Sequence, residues 1–399
     1  MANKILILLL TVFLVTFCKG IEQKENNKDT PINKSSIDTL EMDLQKRYDS
    51  HNFPGFAVSI FTKDSVYLKK GFGYSNIKSK KKYTPQTIQM IASVSKTFVG
   101  VSLMKVLEMG KLNLDDNIND YLPFEVKNPY FPKAIITIRQ LAMHTSGIND
   151  SLNYNKSYLF ESKLDTNQFG EAWHALIKGY NQNEPLELGV FLRQIFSKNG
   201  AWYSEKNFHK TPPGESYDYS NLGVSLLAYI IENITGTAFD RFSEEQIIEP
   251  LNMTATAWKL QVKQKENQTT YYQANFEEYP DYKIITYPDG GLYSNVEDLT
   301  KFLQEMIKAY EGESRLLSKE SFQKMVNQIE GFPDGICWDL SIPCCIGHAG
   351  NDFGTSTLMY FEPSTGLGRI LFANISLDTE KQEEEFYGIF NDLFKYSFK

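Results

Sequence analysis

Residues 89–98 read QMIASVSKTF, and the fold turns on how Ser93 and Lys96 within them are read. Three positions is close to one helical turn, so the two side chains would lie side by side on one helix face. A serine hydroxyl is a weak nucleophile until a neighbouring base takes its proton. A lysine can be that base when burial strips water from its ammonium. The first turn of a helix also aims free N–H groups, and the positive dipole end, at a developing oxyanion. Spacing alone does not decide the matter, because Ser75/Lys78, Ser79/Lys82 and Ser321/Lys324 repeat the offset. Those pairs stand among charged neighbours. Only Ser93 and Lys96 sit among Met90, Ile91, Ala92, Val94 and Phe98, where an amine can be desolvated.

Outward from this stretch the pattern divides the chain into strand-rich ends and a helical middle. Residues 36–51 carry Ile37, Leu40, Leu44 and Tyr48 at helical spacing, with Ser36 as a cap. FAVSIFTKDSVYLKKGFG (56–73) reads as a hairpin turning at Lys63-Asp64. The helix that begins in the opening stretch runs to about Met109 and stops at Gly110. ITIRQLAMHTSG (136–147) and LGVSLLAYIIENITG (222–236) are further helical segments ending on glycine, and EDLTKFLQEMIKAY (297–310) is another helix. Between the first two, residues 149–210 look like an elaboration over a site, with helices near 169–180 and 186–197. STLMYFEPSTGLGRILFAN (356–374) is a second hairpin, followed by an amphipathic closing helix. The expectation is an α+β fold, with one antiparallel sheet from both ends of the chain, flanked by helices. Residues 36–90 and 285–399 would form its α/β part, and 91–284 a large inserted helical subdomain.

The 399 residues, 42% of them hydrophobic, suffice for a sizeable core, and a net charge of −8 argues against a nucleic-acid partner. Lys4 and the apolar run at residues 5–17 read as an export signal occupying residues 1–18, with a polar linker at 19–35. Cys18, at the end of that run, resembles the acylated cysteine of bacterial lipoproteins; simple signal cleavage nearby is the alternative. The expected location is therefore the periplasm or the cell envelope, with the membrane touched only through such an anchor. Cys337, Cys344 and Cys345 are too few for a disulfide scaffold; one bridge from Cys337 to either of the others fits an oxidising compartment, and three buried thiols is the alternative.

Two more elements bear on chemistry. Tyr-Ser-Asn occurs at residues 74–76, 219–221 and 293–295, each pairing a phenol that can relay a proton with an orienting amide. The last two both precede a helix, so local pattern leaves them unresolved. His348-Ala349-Gly350 is the one His-x-Gly, at the start of a strand-rich segment where a glycine lets a substrate backbone approach.

In this order the segments resemble the β-lactamase-related serine hydrolases: class C β-lactamases, low-molecular-weight DD-peptidases, D-amino-acid amidases and peptidases, and family VIII esterases. ASVSKTFVG, ITIRQLAMHTSGI, PPGESYDYSNLGVSLLAYIIENITG, IIEPLNMTAT, PDGGLYSNVEDLTKFL and GHAGNDFGTSTLMYFEP carry the resemblance. It implies Ser93 as acylated nucleophile, Lys96 as its proton partner and Tyr219 as general base and acid. Asn221 would contact substrate and lysine, and His348 would replace the lysine of a Lys-Thr-Gly motif. Gly350 would let substrate approach, and the N–H groups of Ser93 and Asn351 would form the oxyanion hole. The implied activity is an exported serine hydrolase acting through an acyl-enzyme on a small-molecule or peptide substrate with a peptide, amide or ester bond, cell-wall-derived substrates included. A true β-lactamase, and a non-catalytic binding relative of the same fold, are the alternatives. No metal or organic cofactor is implied.

Overall fold

The computed structural model describes residues 34–150 and 152–395, so the expected signal, the linker up to residue 33 and Cys18 lie outside the described residues. Six strands form the central antiparallel sheet, in the order β3-β2-β1-β10-β9-β8. The first three are β1 (Gly55–Phe61), β2 (Val66–Asn76) and β3 (Lys81–Lys82). The others are β8 (Ile346–Asp352), β9 (Thr355–Glu362) and β10 (Leu367–Ala373). The two ends of the chain meet where β1 pairs with β10, from Phe56 opposite Ala373 to Phe61 opposite Gly368. The α+β sheet expected from the sequence is thus the one observed.

Its central strands β1 and β10 are buried along their whole length because both faces are covered. Phe56, Val58 and Ile60 alternate with Ala57 and Phe61, the first set facing one core and the second another. β9 and β10 continue the division, with Leu358, Tyr360 and Leu371 on one side and Met359, Phe361 and Ile370 on the other. The Lys34–Asp49 and Glu380–Asp392 helices close the first face. The Val296–Glu311 helix closes the second, its amide cap Asn295 accepting from the Asp298 N–H at 2.8 Å.

The helical middle is built around Ser95–Glu108, which packs on Asn221–Thr235. The latter ends at Gly236, whose φ of +68° is the left-handed cap that glycine adopts without steric cost. Two small ribbons were not foreseen. β4 (Gln89–Met90) pairs with β7 (Tyr293–Ser294), and β5 (Tyr158–Phe160) with β6 (Tyr282–Ile284). Each is too short to carry a sequence period. The first ribbon fixes the approach to Ser93.

No cysteine bridge forms among the described residues: Cys337, Cys344 and Cys345 are free. Cys337 occupies a left-handed turn under the Ser95–Glu108 helix, 3.1 Å from where a Cβ on Gly100 would stand. Cys344 and Cys345 belong to the opposite core, which explains the failed pairing.

Asn374 ties the sheet to the middle, donating from Nδ2 to Thr269 Oγ1 at 2.9 Å, the Thr270 carbonyl at 3.1 Å and the Tyr74 carbonyl at 3.2 Å. An alanine there would leave buried acceptors unpaired. Asn374→Ala should lower the unfolding free energy by about 2 kcal/mol in urea titration; a change under about 0.5 kcal/mol would contradict this account.

Candidate active site

The chain reaches Ser93 through strain. Ala92 has φ +47°, and a short 3₁₀ turn at Ala92–Val94 runs directly into the Ser95–Glu108 helix. His144 and Cys337, both near the same site, also have positive φ, each +57°. Such conformations cost on the order of 1 kcal/mol or more each and persist only where the surroundings enforce them.

Lys96 lies in the first turn of that helix and is fully buried. Its Nζ is 3.0 Å from Ser93 Oγ, 2.7 Å from Asn221 Oδ1 and 2.6 Å from the Asp289 carbonyl oxygen. Burial lowers its pKa, against the pull of Asp289 and Asp150. Tyr219 completes the group: its hydroxyl hydrogen-bonds the Ser93 side chain, and Lys96 Nζ is 5.0 Å from its ring centre. Burial raises the phenol well above its usual value, with the Ser93 bond opposing, so it keeps its proton at neutral pH. The threefold Tyr-Ser-Asn ambiguity ends here. Tyr74 sits in β2 on the sheet's outer side, and Tyr293 pairs with Met90 in a ribbon.

β8 pairs with β9 on one side and, at Gly347, with Asp339 on the other; beyond Gly347 its outer edge faces this cluster. Gly350 crosses the serine: a Cβ there would stand 2.4 Å from the Ile91 carbonyl and 3.1 Å from Ser93 N, so no larger residue fits without movement. Asn351 follows it on the exposed side of the strand. His348 is buried, its ring 6.4 Å from that of Tyr219, with Nδ1 2.5 Å from the Ala349 carbonyl. Burial, then the Lys96 charge, push its pKa down to about 4, so the imidazole is neutral at physiological pH. The structure thus gathers Ser93, Lys96, Tyr219, Asn221, His348, Gly350 and Asn351 around one edge.

Three residues at the site escaped the sequence reading. Asp150 caps the Asn221 helix, accepting from Ser220 Oγ at 2.7 Å and from the Asn221 and Leu222 N–H groups at 2.5 and 3.2 Å. It thereby fixes the amide that holds Lys96. Asp289, next to the two glycines of PDGG, accepts from Tyr154 at 2.7 Å and Ser225 at 2.9 Å. His144 packs 4.3 Å from Tyr219, centre to centre, and its Nδ1 accepts from the Ser220 N–H at 3.1 Å. PDGG and HTSG were visible as motifs, but nothing local marked their Asp and His as neighbours of Lys96. Among the described residues no group of three or more His, Cys, Asp or Glu is placed to hold a metal ion.

Comparison with known proteins agrees with this architecture. A family model described as Beta-lactamase matches residues 40–393. Protein flp of Staphylococcus aureus (strain NCTC 8325 / PS 47) is 24% identical over 353 residues, covering 86% of this chain and 63% of flp. The human serine beta-lactamase-like protein LACTB, mitochondrial, is 28% identical over 314 residues, covering 67% of this chain and 56% of LACTB. The chain therefore spans less than two thirds of either relative. Among solved structures, the octameric penicillin-binding protein homologue from Pyrococcus abyssi aligns with a TM-score of 0.66 at 23% identity, over 90% of this chain and 78% of that one. D-alanine carboxypeptidase AmpC from Burkholderia cenocepacia gives 0.63 at 17%, over 90% and 99%. At these identities the structural likeness speaks for the fold.

The buried carboxyls around the site give a pH signature. Burial, then Asp339, raise Asp334 to about 8, against the hydrogen bond from Tyr217 at 2.7 Å. A carboxyl whose folded pKa exceeds its unfolded value near 4 binds its proton more tightly when folded. Its contribution is present at low pH and lost as pH rises through that window. The melting temperature should therefore fall between about pH 5 and 8, and Asp334→Asn should flatten the fall. An unaltered slope in thermal melts of the variant would exclude Asp334 as a source.

Proposed function

The chain belongs to the β-lactamase family, and from that premise we propose that it is a serine hydrolase working through an acyl-enzyme on peptide, amide or ester carbonyls. One observation carries the reading: a fully buried amine 3.0 Å from a serine oxygen that also bonds a phenol.

A neutral amine has two N–H groups and one lone pair. Asn221 Oδ1 and the Asp289 carbonyl can only accept, so they take the two N–H groups and leave the lone pair to the Ser93 hydroxyl. Lys96 then takes the Ser93 proton as Oγ bonds the substrate carbonyl carbon. The charge gathering on the carbonyl oxygen would be met by the Ser93 and Asn351 N–H groups. As the bond to the leaving group breaks, the proton passes through Tyr219 to that group. Water then repeats the sequence, releasing the acid and restoring Ser93.

The neutral His348 bears on substrate choice. It offers no standing positive charge to a carboxylate, which favours esters, amides and peptides over β-lactams as substrates. The amino-terminal pattern of Lys4, residues 5–17 and Cys18 favours action outside the cytoplasm, on substrates that include cell-wall fragments.

The test is covalent. A fluorophosphonate probe should label the protein, with Ser93→Ala abolishing labelling and Lys96→Ala cutting its rate by about a thousandfold. Tyr219→Phe should lower turnover of a chromogenic ester by about a hundredfold. Undiminished labelling of Ser93→Ala would reject the assignment, and a wild-type protein that neither labels nor turns over ester would favour a binding role.

A further inference from the structure

We propose that Asp352 makes the acyl half of this cleft selective for substrates with an ammonium group beside the scissile carbonyl, such as aminoacyl amides and esters with a free amine. The inference rests on the acyl-enzyme reading above and deepens it.

Strand geometry sets the direction of the cleft. Side chains two apart share a face, so His348, Gly350 and Asp352 lie on one side of β8. Gly350 identifies that side as the one against Ser93. His348 and Asp352 therefore flank the crossing point, each about 7 Å along the strand from it. The departing group must receive a proton, and Tyr219, the donor, lies at the His348 end. The leaving group thus occupies that end. The acyl group runs toward Asp352.

The two ends differ in charge. Asp352 accepts from Tyr158 at 3.2 and 3.3 Å and from the Phe353 N–H at 2.8 Å, all neutral donors, and no cation among the described residues pairs with it. Burial raises its pKa to about 6, which leaves it mostly ionised at neutral pH. Its partner Tyr158 belongs to an aromatic cluster. The Tyr158 ring stands 5.1 Å from Tyr180, 5.4 Å from Phe353 and 5.8 Å from Tyr282, centre to centre. A carboxylate among π faces attracts an ammonium by both charge and cation–π contact. Asp289 and Asp150 add negative potential, and the Lys96 amine is already committed to Ser93, Asn221 and the Asp289 carbonyl. A substrate carboxylate at the acyl end would meet repulsion.

The experiment compares alanine p-nitroanilide with its N-acetyl form, in both enantiomers, at about pH 7, where the amine is charged and Asp352 is ionised. Wild type should favour the free amine by about tenfold or more in kcat/KM for the better enantiomer. Asp352→Asn, which keeps an acceptor for Tyr158, should erase that preference and leave turnover of the N-acetyl form within about twofold. Protection of Ser93 from fluorophosphonate by alaninamide against N-acetylalaninamide gives the same comparison if neither anilide turns over. Equal treatment of the two forms by wild type would overturn the proposal without reference to any variant. So would a preference that survives in Asp352→Asn and in Asp352→Ser. Those results, with Ser93 still labelled, would leave the acyl-enzyme reading standing; loss of labelling in wild type would remove both.

Discussion

The site depends on one buried amine. Lys96 has three partners, two of which can only accept a hydrogen bond, and all three come from different parts of the chain: Ser93, Asn221 and Asp289. Burying an ammonium costs far more than burying a neutral amine. The surroundings therefore lower its pKa, and Ser93 is the one partner of the three able to donate to it. Chemistry and fold meet at this point, because the geometry that strips water from the amine also docks the Ser95–Glu108 helix against the Asn221–Thr235 helix and the PDGG turn.

Around it the molecule holds polar groups that apolar packing alone would not choose. Asp150, Asp289, Asp334, Asp339, His144 and His348 all lie near the site, and four of them, Asp289, Asp334, His144 and His348, are buried. Three of them tie neighbouring parts together: Asp150 holds the helix start at Asn221, Asp334 the Tyr217 hydroxyl, and Asp339 the Tyr360 hydroxyl at 2.6 Å. The left-handed residues Ala92, His144 and Cys337 belong to the same shell. Stability is given up there to hold reacting groups in fixed positions, a common pattern at functional sites.

What the sequence disclosed follows from the range of each signal. The hairpins at 56–73 and 356–374, the helix ending at Gly236 and the helix capped by Asn295 were legible because period and capping are local properties. Ser93 and Lys96 were legible as a pair for the same reason, since the helix itself sets their separation. Tyr219 was not separable from Tyr293 by local pattern, because both precede a helix; the family resemblance singled it out, and its ring lies 5.0 Å from Lys96 Nζ. Asp150 and Asp289 were missed for a related reason. Their roles consist of contacts across 70 and more positions of chain, to Ser220 and Tyr154, and no short window records them. The expected cysteine bridge failed on similar grounds, as Cys337 and Cys344 lie on opposite faces of the sheet.

The charge arrangement links these points to specificity. A hydrolase that recognises a carboxylate needs a cation beyond the lysine that activates its nucleophile, since one ammonium cannot both donate to a substrate and offer a lone pair. Here the place for a second cation is taken by His348, which burial and the nearby Lys96 hold neutral. Restoring charge there by protonation would need a pH at which Lys96 is itself protonated and inactive as a base. The two demands exclude each other within this shell. The remaining electrostatic asymmetry along β8 is negative, at Asp352. In the proposed reading, the neutral His348 and the carboxyl of Asp352 disfavour anionic substrates and favour neutral or cationic ones.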